Sequence, residues 1–415
     1  MVEEFLNLVT LEEALRRLLD GVSSVEPCIE GIRAQESLGR VLAGDVTAPE
    51  DLPGFERSSM DGFAVRAADT FGAGEGQPAY LEVAGEVPMG KSSDLKITPG
   101  RAVRISTGGV LPEGADAVVM VEDTEVNGST LEVNKGVAPG ENIVERDEDI
   151  RGGTLLFEKG QALGPAQIGA LVGLGITEVE VFRLPVVGII STGDELVPAD
   201  EVPAPGKVRD VNTAALCASV VEAGCRAKPY GIVEDDPDRL LKASLEAVSG
   251  CDALLISGGS SAGVWDVTVD VIARLGKPGV LAHGIHLKPG KPTLIAVCDG
   301  KPVVGLPGNP ASALAVFREV VAPLLSRLRG ESQGALAGRH RTIEAVLDRS
   351  VASTAGRLEL VPVALREEEG RVVANPILGK SSLIGTLARA HGNIRVPEGS
   401  EGLSRGGRVV VELLE

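Results

Sequence analysis

A chain of 415 residues exceeds one ordinary domain, and 43% hydrophobic residues with only 2% aromatics imply cores built from Val, Leu, Ile and Ala. The formal net charge of −19 argues against a broad nucleic-acid surface, and no apolar run is long enough to span a bilayer. An anionic ligand would need a local basic pocket, or a divalent cation between it and the acidic groups.

Met1-Val2-Glu3-Glu4 carries neither a basic start nor an apolar signal core. Cys28, Cys217, Cys225, Cys251 and Cys298 are scattered, odd in number and free of Cys-x-x-Cys spacing, which reads as reduced thiols in a cytoplasmic protein. The first helix is capped by Thr10 with Glu13 three residues on, and Leu11, Ala14, Leu15 and Leu18 form its apolar stripe. From about Ala48 to Asp147 short Val-rich strands predominate, and Asn127-Gly128 predicts a type I′ hairpin. Gly164-Pro165 opens another helix and Leu184-Pro185 marks a boundary. Strands over 186–191, 230–233 and 252–257 then alternate with helices over 212–224, 237–248 and 309–329. Asn212 and Asp236 are the expected caps of the first two of these helices. This alternation predicts a parallel sheet covered on both faces, with its ligand beyond the carboxyl ends of the strands. Short strands over 342–347, 358–365, 371–374 and 409–414 predict a small β-rich terminal domain.

Three loops between 254 and 312 carry the clearest chemistry: Ser257-Gly258-Gly259-Ser260-Ser261-Ala262-Gly263, Lys288-Pro289-Gly290-Lys291-Pro292, and Gly305-Leu306-Pro307-Gly308-Asn309-Pro310. Glycines let backbone N–H groups approach an anion, and proline-flanked lysines add charge with little flexibility. One such loop alone would be an ordinary turn, and the lysines alone solvated charges. Their coincidence points to a phosphorylated ligand or a small oxyanion. Acids stand at the same sheet edge in Gly193-Asp194-Glu195, Glu234-Asp235-Asp236 and Trp265-Asp266. Carboxylates around a phosphate repel it unless Mg²⁺ bridges the two. Asp236 precedes Pro237 and suits a helix cap, which leaves Asp235 as the better metal candidate. A second constellation joins Met60-Asp61-Gly62 to Ser106-Thr107-Gly108-Gly109, although composition alone reads Asp61-Gly62 as a turn. The run from Glu145 to Arg151 reads as a solvated loop. His283 and His286 are three apart and could share a helix face, but lack a third ligand for zinc.

These motifs, in order, resemble the molybdopterin molybdenumtransferase family, the MoeA type related to the E domain of gephyrin. The resemblance rests on Met60-Asp61-Gly62-Phe63-Ala64-Val65, Thr107-Gly108 with Leu111-Pro112-Glu113-Gly114-Ala115-Asp116, Glu148-Asp149-Ile150 and Ser191-Thr192-Gly193-Asp194-Glu195-Leu196. Ser257-Gly258-Gly259, Lys288-Pro289-Gly290-Lys291-Pro292 and Leu306-Pro307-Gly308-Asn309-Pro310 complete it. It implies a multidomain α/β plus β architecture. Residues 1–48 and 148–183 would form an elongated dimerising domain, 49–147 an inserted β-rich module, 184–330 a doubly wound α/β molybdopterin-binding domain, and 337–415 a β-barrel-like domain. A homodimer is implied, with its site shared between the α/β domain of one subunit and the β-rich module of the other.

The implied reaction inserts molybdate into adenylylated molybdopterin with Mg²⁺ and releases AMP, and a molybdopterin adenylyltransferase would be a partner. The resemblance gives Asp61, Asp149, Glu195 and Asp266 catalytic positions, and Asp235 with Asp266 the metal. It assigns Thr107, Gly108, Gly193, Asp194, Ser257, Gly258, Gly259, Ser261, Lys288, Gly290, Lys291, Gly308, Asn309 and Pro310 to substrate binding. Arg357, Ser381 and Ser382 match residues of molybdate capture. The chain departs from the pattern at Val264, where a carboxylate is common, and over Arg209-Asp210-Val211-Asn212-Thr213-Ala214, which lacks some polar residues near the nucleotide. Alternatives are a non-catalytic molybdopterin-binding scaffold, a tungstate-inserting relative, and adenylylation by the α/β domain itself.

Overall fold

The computed structural model describes residues 8–91, 94–258, 262–332 and 341–414, without the side chains of 262–266. Its centre is a six-stranded sheet in the order Arg226–Val233, Val186–Thr192, Ala253–Gly258, Lys301–Pro307, Leu294–Cys298, Pro278–His283. The first four strands pair in parallel. Leu294–Cys298 runs antiparallel to both of its neighbours, so the sheet is mixed where alternation predicted a parallel one. The cause is local. Asp299 and Gly300 both take positive φ (49° and 82°) and join Cys298 to Lys301 in a two-residue hairpin, the conformation that an Asp-Gly pair favours.

Alternate residues of the central strands enter two different cores, as a period of two requires. Val187, Ile189, Leu255, Val304 and Leu306 face one layer, together with Leu216, Val220 and the helical stretch from Pro310 to Leu328. Ile190, Leu254, Ile256 and Val303 face the other, with Leu240, Ala247, Val271 and Ile272. That last helical stretch is not uniform, since Phe317–Val321 is a π-helical segment between two α-helices.

Thr10 caps the first helix as expected, accepting from the Glu13 N–H at 3.2 Å. Its stripe packs elsewhere than the segment expected to dimerise, however. Leu11, Ala14 and Leu18 are buried against the α/β core, and Val9 N donates to Gly284 O at 3.2 Å. By packing, this helix belongs to the α/β layer. The segment expected to form that domain begins its pairing at Ile29–Arg33, which runs antiparallel to Glu178–Phe182, while Val46–Thr47 pairs with Leu155–Phe157. Leu42, Leu163, Leu171 and Val181 fill its small core.

Between those pairings the chain forms a second six-stranded sheet in the order Ala117–Met120, Gly62–Val65, Arg101–Ile105, Ala79–Glu86, Thr130–Val133, Thr124–Asn127. Its last hairpin is offset by one residue from the expected turn. Asn127 pairs with Thr130, and Gly128 alone has positive φ (66°), the pattern of a type II′ loop. The C-terminal strands Leu358–Glu368, Arg371–Pro376, Thr342–Leu347, Arg408–Leu413 and Gly392–Val396 close on themselves through the pairing of the first with the last. The result is a five-stranded barrel around Leu347, Val363, Ala374, Ile394 and Val411. Leu287–Lys288, from the α/β layer, adds to the barrel beside Leu358 and Glu359.

Candidate functional site

The parallel strands end together, so the loops after Thr192, Val233, Gly258 and Pro307 share one edge of the sheet. Gly193 N donates to Val233 O at 3.3 Å, and Asp194 Oδ1 accepts from Asp235 N at 3.2 Å. Asp235 Oδ1 in turn accepts the Thr192 hydroxyl at 2.8 Å. Asp236 caps its helix by accepting from the Asp238 and Arg239 N–H groups at 3.1 and 2.8 Å. Glu195 folds over the Gly193 backbone, where a Cβ would lie 2.6 Å from its Oε2. Gly258 has an equally tight neighbour: a Cβ there would lie 2.5 Å from Thr192 O.

Asn212 ties two of these loops together, which sequence reasoning missed by treating it as a cap. The helix Asn212–Glu222 begins on it with Val211 at the cap position, and the Asp210 carboxylate, one residue further back, accepts from Thr213 N at 3.0 Å. The freed Asn212 amide donates to Ser257 Oγ at 2.8 Å and to Gly308 O at 2.9 Å. Its Oδ1 is buried without a hydrogen-bond partner among the described residues. The available signal was an Asp two residues earlier, better placed to cap. Gly259, Ser261 and the Asp266 side chain lie outside the described residues.

A cavity of about 1080 Å³ separates the α/β layer from the barrel. Lys288, Gly290, Lys291 and Asn309 line it from one side, Arg357 and Ser381 from the other. Asn309 and Pro310 start the helix Pro310–Val316, and Ala311 N donates to Ser381 O at 3.1 Å, anchoring the barrel loop. Ser382 is exposed beside that anchor. Arg357 Nε is buried without a hydrogen-bond partner among the described residues, an orphan donor of the kind an oxyanion would satisfy. Lys288 is ion-paired with Glu359 at 2.7 Å. Desolvation pulls the pKa of Arg318, which also lines the cavity, below the usual arginine range despite Glu412 and Glu319 nearby. The chemistry on offer is recognition of a compact anion by cations from two domains.

Asp61 and Thr107 are brought together in the β-rich sheet, where Asp61 Oδ1 accepts from Thr107 N at 2.7 Å. Gly108 sits at φ 80° and donates to Ser58 O at 2.7 Å. Asp149 is exposed, and its N–H donates to Leu52 O at 3.2 Å. Among the described residues no hydrogen bond joins these four to the sheet-edge loops. His283 ends a strand and His286 follows in a loop, so they share no helix face. Among the described residues no three His, Cys, Asp or Glu side chains gather closely enough to hold a metal alone. The half-buried Asp235 nonetheless presents a hard carboxylate at the sheet edge, and Mg²⁺ commonly takes one or two carboxylates with the remainder from water and substrate phosphate.

The family model "MoeA N-terminal region (domain I and II)" matches residues 9–175, "probable molybdopterin binding domain" 188–327, and "MoeA C-terminal region (domain IV)" 344–414. The molybdopterin molybdenumtransferase of Bacillus subtilis is 35% identical over 98% of this chain and 94% of its own length. The chain belongs to the molybdopterin molybdenumtransferase family. This is an enzyme family of molybdenum cofactor biosynthesis. A putative molybdopterin biosynthesis protein of Methanocaldococcus jannaschii is 35% identical over 99% of both chains. The crystal structure of a molybdopterin biosynthesis MoeA protein from Pyrococcus horikoshii superposes with a TM-score of 0.84 at 33% identity, covering 98% of this chain and all of that one. This family member therefore shares an architecture as well as motifs. Among its described residues no helix is long and apolar enough to cross a membrane.

Proposed function

We propose that this chain inserts molybdate into adenylylated molybdopterin in a Mg²⁺-dependent reaction that releases AMP. The observation that carries the reading is the interdomain cavity, where Lys288 and Lys291 face Arg357 and Ser381. Their cationic groups and hydroxyl would bind the oxyanion, with the orphan Arg357 Nε as one donor. The Gly193, Gly258 and Gly308 loops, which leave neighbouring strand ends at one edge of the sheet, would take the pterin phosphate side through their backbone N–H groups. Asp235 and Asp266 would hold Mg²⁺, which when bound offsets charge on the pyrophosphate link. Asp235 is already oriented for this by the Thr192 hydroxyl. Glu195 would orient water or molybdate from the same edge. Asp61, Thr107 and Asp149 would reach the site from the second subunit of a homodimer. An adenylylated substrate also implies a molybdopterin adenylyltransferase as the supplying partner.

Purified protein supplied with adenylylated molybdopterin, Mg²⁺ and molybdate tests the reading. AMP release and metal-loaded pterin should require molybdate, stop with chelator and fail in Asp266→Ala. A parallel run with tungstate reports which oxyanion is preferred. Tight pterin binding without turnover in the wild type would overturn the enzymatic reading in favour of a scaffold.

A further inference from the structure

Lys288 reaches into the cavity already neutralised. Its ammonium meets Glu359 Oε1 at 2.7 Å, and Glu359 Oε2 accepts the Ser353 hydroxyl at 2.5 Å. Glu359 is only 8% exposed, and its backbone lies in register with Lys288 where the α/β layer joins the barrel. Leu358 N also donates to His286 O at 3.1 Å, so the strand carrying the carboxylate is pinned. Lysine is a point charge on a flexible stem with three rotatable donors. Of the two partners, Lys288 is the one free to turn.

We infer that Glu359 is an internal counter-ion that the substrate oxyanion displaces from Lys288, so that this carboxylate sets how tightly the cavity holds molybdate. The inference deepens the proposed function and rests on it. A buried carboxylate needs a cation or several hydrogen bonds. When Lys288 turns to the oxyanion, Glu359 keeps Ser353 but loses its ion pair, and that loss is subtracted from the binding free energy. Glu359 is thus a positioning residue that acts through Lys288. By restraining affinity it also favours release of the oxyanion-bearing product.

The test is calorimetric titration of molybdate into the full-length wild type, Glu359→Gln and Ser353→Ala, with circular dichroism as the fold control. Glu359→Gln keeps the shape and an acceptor for Ser353 but removes the competing charge. Its Kd for molybdate should fall about tenfold, with KM for molybdate falling and kcat not rising. Ser353→Ala leaves Glu359 more dependent on Lys288, so its Kd should rise about threefold. A loosened domain junction could weaken binding in either variant but would not tighten it in the first. Equal or weaker binding in a folded Glu359→Gln overturns the inference, as does equal or tighter binding in Ser353→Ala. If Glu359→Gln does not fold, Ser353→Ala decides. A wild type that makes metal-loaded pterin while Glu359→Gln fails to tighten defeats this inference alone. A wild type that neither binds molybdate nor makes product defeats the proposed function and the inference together.

Discussion

Gly258 shows at the scale of one residue why the sheet-edge loops need glycine. A methyl group there would lie 2.2 Å from Thr192 Cγ2 and 2.5 Å from Thr192 O, far inside van der Waals contact. Thr192 cannot yield without disturbing Asp235, which accepts its hydroxyl. Gly258→Ala should therefore destabilise the chain by about 1–3 kcal/mol in urea unfolding and reduce AMP release by more than the unfolded fraction explains. An unchanged midpoint would show that the strand ends can shift apart. Gly62 is constrained in the same way, since its Cβ would fall 1.9 Å from Val119 O on the neighbouring strand. In both cases the sequence displayed the glycine and its motif. The backbone that forbids a side chain comes from a strand distant in sequence and could not be read there.

At the scale of elements, the π-helical segment Phe317–Val321 carries Arg318 and Glu319 against the barrel. Glu319, 6% exposed, meets Arg395 at 2.6 Å, and Arg395 meets Glu412 at 2.6 Å. Arg395→Met would strand Glu319 as a buried anion and should cost about 3 kcal/mol. Adding Glu319→Gln should recover much of that loss, and a double-mutant cycle in denaturant measures the coupling. Simple additivity would mean the two side chains do not share one junction. The first helix makes a different prediction, through pH. Arg16 and then Arg17 hold the Glu13 carboxyl down at about 2, against an ordinary 4.5. The unfolded chain binds the extra proton between these values, so the contribution is full above about pH 4.5 and fades as pH falls toward about 2. Thermal melts should show the gap between wild type and Glu13→Gln narrowing over that window, and narrowing also with salt, because the group is exposed. A gap independent of pH would assign the effect to packing. The caps of this helix and of Pro237–Gly250 were legible because capping is local chemistry. The π segment was not, and the partners of its Arg318 and Glu319, Leu413 O and Arg395, lie in the barrel, far away in sequence.

On the scale of the whole molecule, the cationic cavity and the Asp61–Thr107 pair are both well formed, yet no described hydrogen bond joins them within one subunit. The proposed homodimer with a shared site accounts for this, and mixing makes it testable. Asp61→Ala and Lys288→Gln should each be nearly inactive alone. Refolded together in equal amounts, they should regain about a quarter of wild-type turnover, since half the dimers are hybrids and each hybrid has one intact site. No recovery would place both residues in a site within one subunit.

The order of motifs along the chain determined the family and the alternation of strand and helix, and it singled out the candidate acidic and basic residues, because glycine loops, caps and strand periodicity are written over a few residues. Tertiary structure alone decided that the first helix packs on the α/β layer, that Asn212 bridges two loops instead of capping, and that Glu359 faces Lys288. Each of these joins residues far apart in sequence. Such contacts follow from which surfaces remain to be buried once the local elements have formed, and no short stretch of sequence records that competition.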